Sequence, residues 1–209
     1  MRTRWLRLRP FLLILVALVV SLGGGGTASV NAQAVPTAAR KAELSTFMTY
    51  TRLTPDYGPQ QNNGVMIGVD CALFTRYLRY VTPAVEFRMK FANGDTVDQK
   101  TYGGGIRVEK EFRGRFHPYA NFLVSAGYIN YNFKPPNILP NGKPYTSDTS
   151  VVYSYGGGLD LDMTPNFSAR GEFLAENWSL GGYTPTTLTP TMWSVGLKYR
   201  IPFGVRSRR

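Results

Sequence analysis

Thr191-Met-Trp-Ser-Val-Gly-Leu-Lys-Tyr-Arg-Ile-Pro-Phe203 is the stretch whose reading decides the fold. Side chains of a strand point alternately to opposite faces. One face here carries Thr191, Trp193, Val195, Leu197, Tyr199, Ile201 and Phe203; the other carries Met192, Ser194, Gly196, Lys198, Arg200 and Pro202. The apolar face has aromatic residues near both ends, and the face opposite holds two cations. A strand standing between lipid and the interior of a barrel has this composition. The remainder of the chain must then supply an even number of such strands and a route of export.

Working back from this stretch, seven more segments alternate. Segment one covers Glu43 to Leu53, with Leu44, Met48 and Tyr50 on one face and Phe47 and Leu53 on the other, the weakest alternation of the set. Segment two sets Val65, Ile67, Val69, Cys71 and Leu73 against Met66, Gly68, Asp70 and Ala72. In segment three, Val81, Pro83, Val85, Phe87, Met89 and Phe91 oppose Glu86, Arg88 and Lys90. Segment four, from Thr101 to Phe112, puts Tyr102, Gly104, Ile106, Val108 and Lys110 opposite Arg107, Glu109 and Glu111. Segment five groups Ala120, Phe122, Val124, Ala126 and Tyr128. Around Ile129 to Phe133 its apolar parity flips, which predicts a bulge or emergence from the apolar layer. Segment six sets Val151, Tyr153, Tyr155, Leu159, Leu161 and Met163 against Ser154, Gly156, Gly158, Asp160 and Asp162; segment seven sets Phe167, Ala169, Phe173 and Ala175 against Ser168, Arg170, Glu172 and Glu176.

The links after segments one, three, five and seven read as long and rich in Pro, Gly and Asn, and those after two, four and six as short. Outer-membrane barrels have short periplasmic turns and longer outer loops, so the amino terminus is expected on the periplasmic side.

Charge sorts by face. On the apolar faces of segments two to eight, Lys110 is the single charged residue. The faces opposite hold Asp70, Glu86, Arg88, Lys90, Arg107, Glu109, Glu111, Asp160, Asp162, Arg170, Glu172, Glu176, Lys198 and Arg200. A soluble sandwich or barrel would place apolar residues inside. A lipid-facing cation near the bilayer midplane costs about 2–4 kcal/mol, so a membrane wall must nearly exclude it. Eight strands enclose a space that side chains just fill. The expectation is a filled lumen with acids and bases paired across it, because isolated buried charges are very unfavourable.

Composition narrows the function classes. The formal charge of +11 falls to +7 once residues 1–34 are set aside, with 20 basic and 13 acidic residues remaining. No element carries basic residues interleaved with stacking aromatics, so no nucleic-acid partner is expected. After residue 40 no run is long and apolar enough for a membrane helix. One cysteine, Cys71, rules out an internal disulfide framework and a cysteine metal cluster; it is expected to face lipid and to be inert. At the start of the chain, basic residues to Pro10, a short apolar core from Phe11 to Leu22 and Ala32-Gln33-Ala34 form a secretory signal peptide, cleaved after Ala34.

Candidate chemistry is sparse. The single histidine, His117, reads as a turn residue at the periplasmic end. Glu109 and Glu111 beside Arg107 read as a structural ion network, and Asp160 and Asp162 lack further oxygen ligands at calcium spacing. The phrase Tyr102-Gly-Gly-Gly-Ile-Arg-Val108 recurs as Tyr155-Gly-Gly-Gly-Leu-Asp-Leu161. No Lys-Ser/Thr or helix pattern follows either copy, so a phosphate loop is excluded. Glycines within strands allow curvature or the close approach of a neighbouring aromatic. No catalytic, cofactor-binding or metal-binding residue is assigned, and no cofactor is implied.

The signal peptide, the eight alternating segments and the ending Tyr199-Arg-Ile-Pro-Phe203 together resemble the small outer-membrane β-barrel family of the OmpA/OmpX type. Phe116-His-Pro-Tyr-Ala-Asn121 and Tyr155-Gly-Gly-Gly-Leu-Asp160 are similar to acidobacterial outer-membrane β-barrel domain proteins. The resemblance implies insertion by the barrel-insertion machinery, which in such families reads a terminal aromatic; here Gly204 to Arg209 follow Phe203. The expected organisation is a signal peptide at 1–34, a periplasmic lead at 35–42, an all-β, eight-stranded antiparallel up-and-down transmembrane barrel at 43–203, and a basic tail at 204–209. The expected function is non-enzymatic: a monomeric barrel among outer-membrane lipids, serving envelope structure or surface interaction through four outer loops. A narrow solute or ion channel, a membrane-embedded lipid enzyme and a soluble lipocalin-like binding barrel are the alternatives.

Overall fold

The computed structural model describes residues 42–56, 60–74, 81–110, 112, 114–132, 137–138, 142, 144–180 and 186–201. The expected signal peptide, the lead up to residue 41, Glu111, Phe203 and the basic tail lie outside the described residues.

Alternating sequence becomes alternating burial in eight long strands. They are β1 (Ala42–Thr54), β2 (Asn62–Leu73), β3 (Thr82–Asn93), β4 (Val97–Glu109), β5 (Phe116–Tyr131), β6 (Ser147–Asp162), β7 (Phe167–Ser179) and β8 (Thr191–Arg200). Each pairs antiparallel with its neighbours in chain order, and β8 returns to β1 from Ser45↔Arg200 to Thr54↔Thr191. The sheet therefore closes on itself and has no open edge. Following partners once around the ring leads from Leu44 to Cys71, Val85, Ile106, Phe122, Tyr155, Ala175, Thr191 and then Thr54. One circuit advances ten residues, from 44 to 54. A stagger of this kind requires the strands to lean about 40° from the barrel axis.

The proximal end of the barrel, where β1 starts and β8 finishes, carries the links 74–81, 110–115 and 163–166. The distal end carries the links 55–61, 94–96, 132–146 and 180–190. The expected long-short alternation is thus incomplete. The second distal link is three residues long, because β4 begins at Val97 rather than Thr101. The polar run Asp98-Gln99-Lys100 reads as loop by composition, but Gln99 and Lys100 complete ladders with Ala92 and Phe91 on one side and with Ile129 and Tyr128 on the other. Asp98 also fixes the turn by accepting from the Gly94 backbone N–H at 3.1 Å. The proximal link after β2 is longer than expected, at eight residues.

Two further boundaries move outward for the same reason. β6 starts at Ser147, and the 132–146 link contains a short ladder of Asn137–Ile138 with Pro144–Tyr145. β5 shows neither a bulge nor a change of face near residue 129. Its alternation continues to Tyr131, and Ile129 and Tyr131 point inward into an apolar cluster at the distal end. The parity flip in the sequence marks a change in what the interior contains, not a change in backbone geometry.

The wall is apolar outside and polar within. Trp193 and Leu197 are 44% and 52% exposed, whereas Glu86 and Arg170 are each 1% exposed. Outward aromatic rings meet near both ends of the wall. Phe167 and Tyr199 lie 4.9 Å apart proximally; distally, Tyr50 meets Trp193 at 6.3 Å and Tyr102 meets Phe91 at 5.6 Å and Tyr128 at 6.1 Å. Cys71 is half-buried on the outward face.

Candidate functional site in the barrel interior

Among the described residues charged side chains converge in the interior, and the strand stagger sorts them into tiers. The proximal tier is built on Asp162 at the end of β6. Arg200 donates to it through both terminal nitrogens, at 2.8 and 2.6 Å, and its Nε lies 3.1 Å from Glu43. Such a bidentate pair fixes geometry as well as charge. Ser168 donates to the same carboxylate at 2.7 Å. His117 sits between two acids, with Nδ1 3.0 Å from Glu109 and Nε2 3.1 Å from Asp162. The expectation that His117 is a turn residue is corrected: it is the second residue of β5 and faces inward, since β5 begins at Phe116, before Pro118, to pair with Leu161. Its position at the proximal end is as expected.

The next tier joins five strands. Arg107 donates to Glu109 at 2.5 Å, Asp160 at 2.6 Å and Asp70 at 3.2 Å. Arg170 donates to both oxygens of Asp160, at 2.8 and 3.0 Å, and to Asp70 at 3.3 Å. Lys198 lies 3.3 Å from both Asp70 and Asp160. Two aromatic rings cover the guanidinium groups: Tyr119 at 3.9 Å from Arg107 and Phe47 at 4.2 Å from Arg170. Desolvated cation–π contacts of this sort add to the pairing of charges. Above them Arg88 bridges Glu86 and Glu172, the latter at 2.9 and 3.0 Å, and Asn121 donates to Glu172 at 2.6 Å. Higher again, Lys90 meets Glu176 at 2.5 Å, and the Trp178 indole N–H donates to that carboxylate at 2.9 Å.

Beyond Trp178 the chemistry changes. Its ring joins Val97, Ile129, Tyr131, Val152, Leu180 and Leu188 in a buried apolar cluster. A second cluster, Phe47, Leu53, Met66, Leu174 and Met192, lines the lumen nearby. Leu180 and Leu188 come from the 180–190 link, where Thr187–Leu188 pairs with Ser179 and Trp178 and so extends the ladder of β7. Thr189 donates to Asp56 through its backbone N–H and its hydroxyl, at 3.1 and 3.2 Å, joining this link to the one after β1.

The tiers fit because cross-strand glycines make room for the rings. A Cβ on Gly158 would lie 2.6 Å from the Tyr119 hydroxyl, and one on Gly68 would lie 2.7 Å from Phe47 Cε1 and closer still to Cζ of the same ring. Each glycine is in register with the aromatic residue that covers it. In the second Gly-Gly-Gly phrase Gly158 is thus a place of close aromatic approach, as expected; in the first, Gly103 and Gly105 lie against Ser125 and the backbone of Phe122 and Leu123 instead of a ring.

The geometry sets limits on chemistry. Both ring nitrogens of His117 face carboxylates, and the hydroxyl of Ser168 donates to Asp162 instead of presenting itself to the ring. Among the described residues no acid, cysteine and histidine group has the arrangement of a metal site. Asp160 and Asp162 are occupied by arginines, and Glu109 by Arg107 and His117. Alternation found the ion-bearing face; it did not single out Phe47, Tyr119, Asn121 or Trp178, whose inward parity was the available signal.

No family model matches the chain, and no curated protein matches it. Among solved structures it is similar to Neisserial surface protein A, at 14% identity and a TM-score of 0.50, covering 77% of this chain and 97% of that one. It is likewise similar to a major outer membrane protein of Thermus thermophilus, at 11% identity and a TM-score of 0.50, covering 77% and 99%. A further likeness, to the attachment invasion locus protein Ail of Yersinia pestis, has 15% identity and a TM-score of 0.48, covering 77% and 97%. The chain has the fold of the small eight-stranded outer-membrane β-barrels.

Proposed function

We propose that the chain is a non-enzymatic outer-membrane protein whose lumen is filled by its own side chains, and that it serves envelope structure or surface interaction through its distal links. The observation that carries this reading is the inverted wall. Val195 and Leu197 are exposed while Arg88, Arg107, Arg170 and Lys198 are buried against carboxylates. In water such a wall would expose a continuous apolar surface far beyond that of a soluble monomer. In a bilayer the same wall is solvated by acyl chains, and the charges keep their partners. This weighs against a soluble binding barrel. Three links, 55–61, 132–146 and 180–190, have the length to carry a binding surface.

The test has two parts. After cell fractionation the protein should be found with the outer membrane, and unheated it should resist SDS and migrate differently from the boiled form. Purified protein in a planar bilayer should give no unitary currents. Recovery in the soluble periplasmic fraction would overturn the membrane reading, and stepwise currents would overturn the filled lumen. A narrow conducting path is the second reading. It draws support from the buried hydroxyls of Thr49, Thr51 and Ser194, which have no hydrogen-bonding partner among the described residues and neighbour one another across the β1–β8 seam.

A further inference from the structure

Among the described residues, all six lysines and arginines within the barrel have a carboxylate within 3.3 Å. The outward face is different. Among the described strand residues it carries two cations, Arg52 in β1 and Lys100 in β4, and one acid, Asp98 in β4. Arg52 is exposed and has no ion-pair partner among the described residues.

Its surroundings are specific. Arg52 is in register with Trp193 of β8 on one side and Asn63 of β2 on the other, so all three project from the same face. Tyr50, two residues earlier on that face, donates its hydroxyl to the Asn63 side-chain oxygen at 2.6 Å and meets the Trp193 ring edge-to-face at 6.3 Å. The bond from Tyr50 takes up the acceptor of Asn63 and leaves its amide nitrogen as a donor. Arg52, Asn63 and Trp193 thus share one outward face, and among the described strand residues no acid lies on it next to them. Directly below, towards the proximal end, Met48, Ile67, Val195 and Leu197 form an exposed apolar strip.

Resting on the membrane reading above, we propose that Arg52, Asn63 and Trp193, with Tyr50 holding Asn63, bind the phosphate of an anionic lipid in the distal leaflet. Donors without an acceptor of their own recognise an anion, and a guanidinium matches the spacing of phosphate oxygens. The aromatic residues place the patch at headgroup depth, where amphipathic rings settle. The strip beneath it receives the acyl chains, which a free anion lacks. Lys100 offers an internal control. It is in register with Phe91 and Tyr128, yet Asp98 shares its face two residues away and repels an anion.

The probe is a pair of lipids with matched acyl chains, anionic phosphatidylglycerol and zwitterionic phosphatidylcholine, and the readout is lipid retention by the full-length protein in native mass spectrometry. The wild-type protein should retain phosphatidylglycerol preferentially. Arg52→Gln should reduce that retention about fivefold, the equivalent of one basic group at an anionic surface, with phosphatidylcholine unchanged. Lys100→Gln should reduce it less. Both substitutions are on the outward face, so the heat-shift of the folded barrel should persist. Equal retention of the two lipids, or a preference that survives Arg52→Gln, overturns this site and leaves the membrane reading standing. Uptake of neither lipid overturns both.

Discussion

The proximal and distal parts of the lumen solve the same packing problem with opposite chemistry. Proximally, Asp70, Arg107, Asp160, Arg170 and Lys198 meet from five strands, and each charge depends on partners contributed by others. Distally, Val97, Ile129, Val152, Trp178, Leu180 and Leu188 need only volume and the absence of water. Trp178 belongs to both, with its N–H on Glu176 and its ring in the apolar cluster. The contrast teaches that interior polarity in this barrel follows depth and is independent of the strand pattern, which is the same throughout.

The largest expected effect breaks the ionic side. Arg170→Leu leaves Asp160 and Asp70 with fewer donors in a dry setting, and stranding a buried charge costs about 3–5 kcal/mol. Urea unfolding of the barrel in lipid vesicles should show a loss of this size, and a loss below that of the next variant would mean the tier is hydrated. On the apolar side, Leu188→Ala removes methyl groups from a fully buried position, where truncation costs about 2–3 kcal/mol. The same assay should place it below Arg170→Leu.

A third comparison separates inside from outside at glycine. Gly158→Ala would drive a methyl group into the Tyr119 hydroxyl and the carbonyl oxygen of Gly171, an overpacking of about 1–2 kcal/mol. Gly171→Ala, with nothing within 4 Å of its new methyl on the outward face, should shift the same midpoint by less than about 0.5 kcal/mol. Equal effects from the two would show that the sheet, and not the Tyr119 contact, limits side-chain size there.

Much of this was legible in the chain itself. Period-two alternation pointed to the eight strands and to the inward face of the charges from Asp70 to Arg200 in β2 to β8, because lipid and lumen demand opposite residues along one strand; it did not pick out Glu43 of β1. Lys100 and Asp98 escaped because they lie on the outward face yet beyond the apolar belt, where alternation carries no signal. The turn reading of His117 failed because Pro118 suggests a break, although Pro118 faces Lys110, one residue past the end of β4, so its missing N–H removes no bond from that strand. The tiers could not be read at all. Which acid meets which base depends on the ten-residue stagger, and that number exists only once registers are known.

The bond between Arg170 and Asp70 joins residues one hundred positions apart in the chain. Neither finds the other while the ribbon is open, so the pairs that cross the lumen form only when the final seam between β8 and β1 zips, whereas Arg170 already meets Asp160 on the neighbouring strand. Long-range pairing of this type is slow to form. A growing sheet of this sequence would keep its salt-forming side wet until the end, making ring closure the point at which water leaves and the assembly becomes hard to reverse.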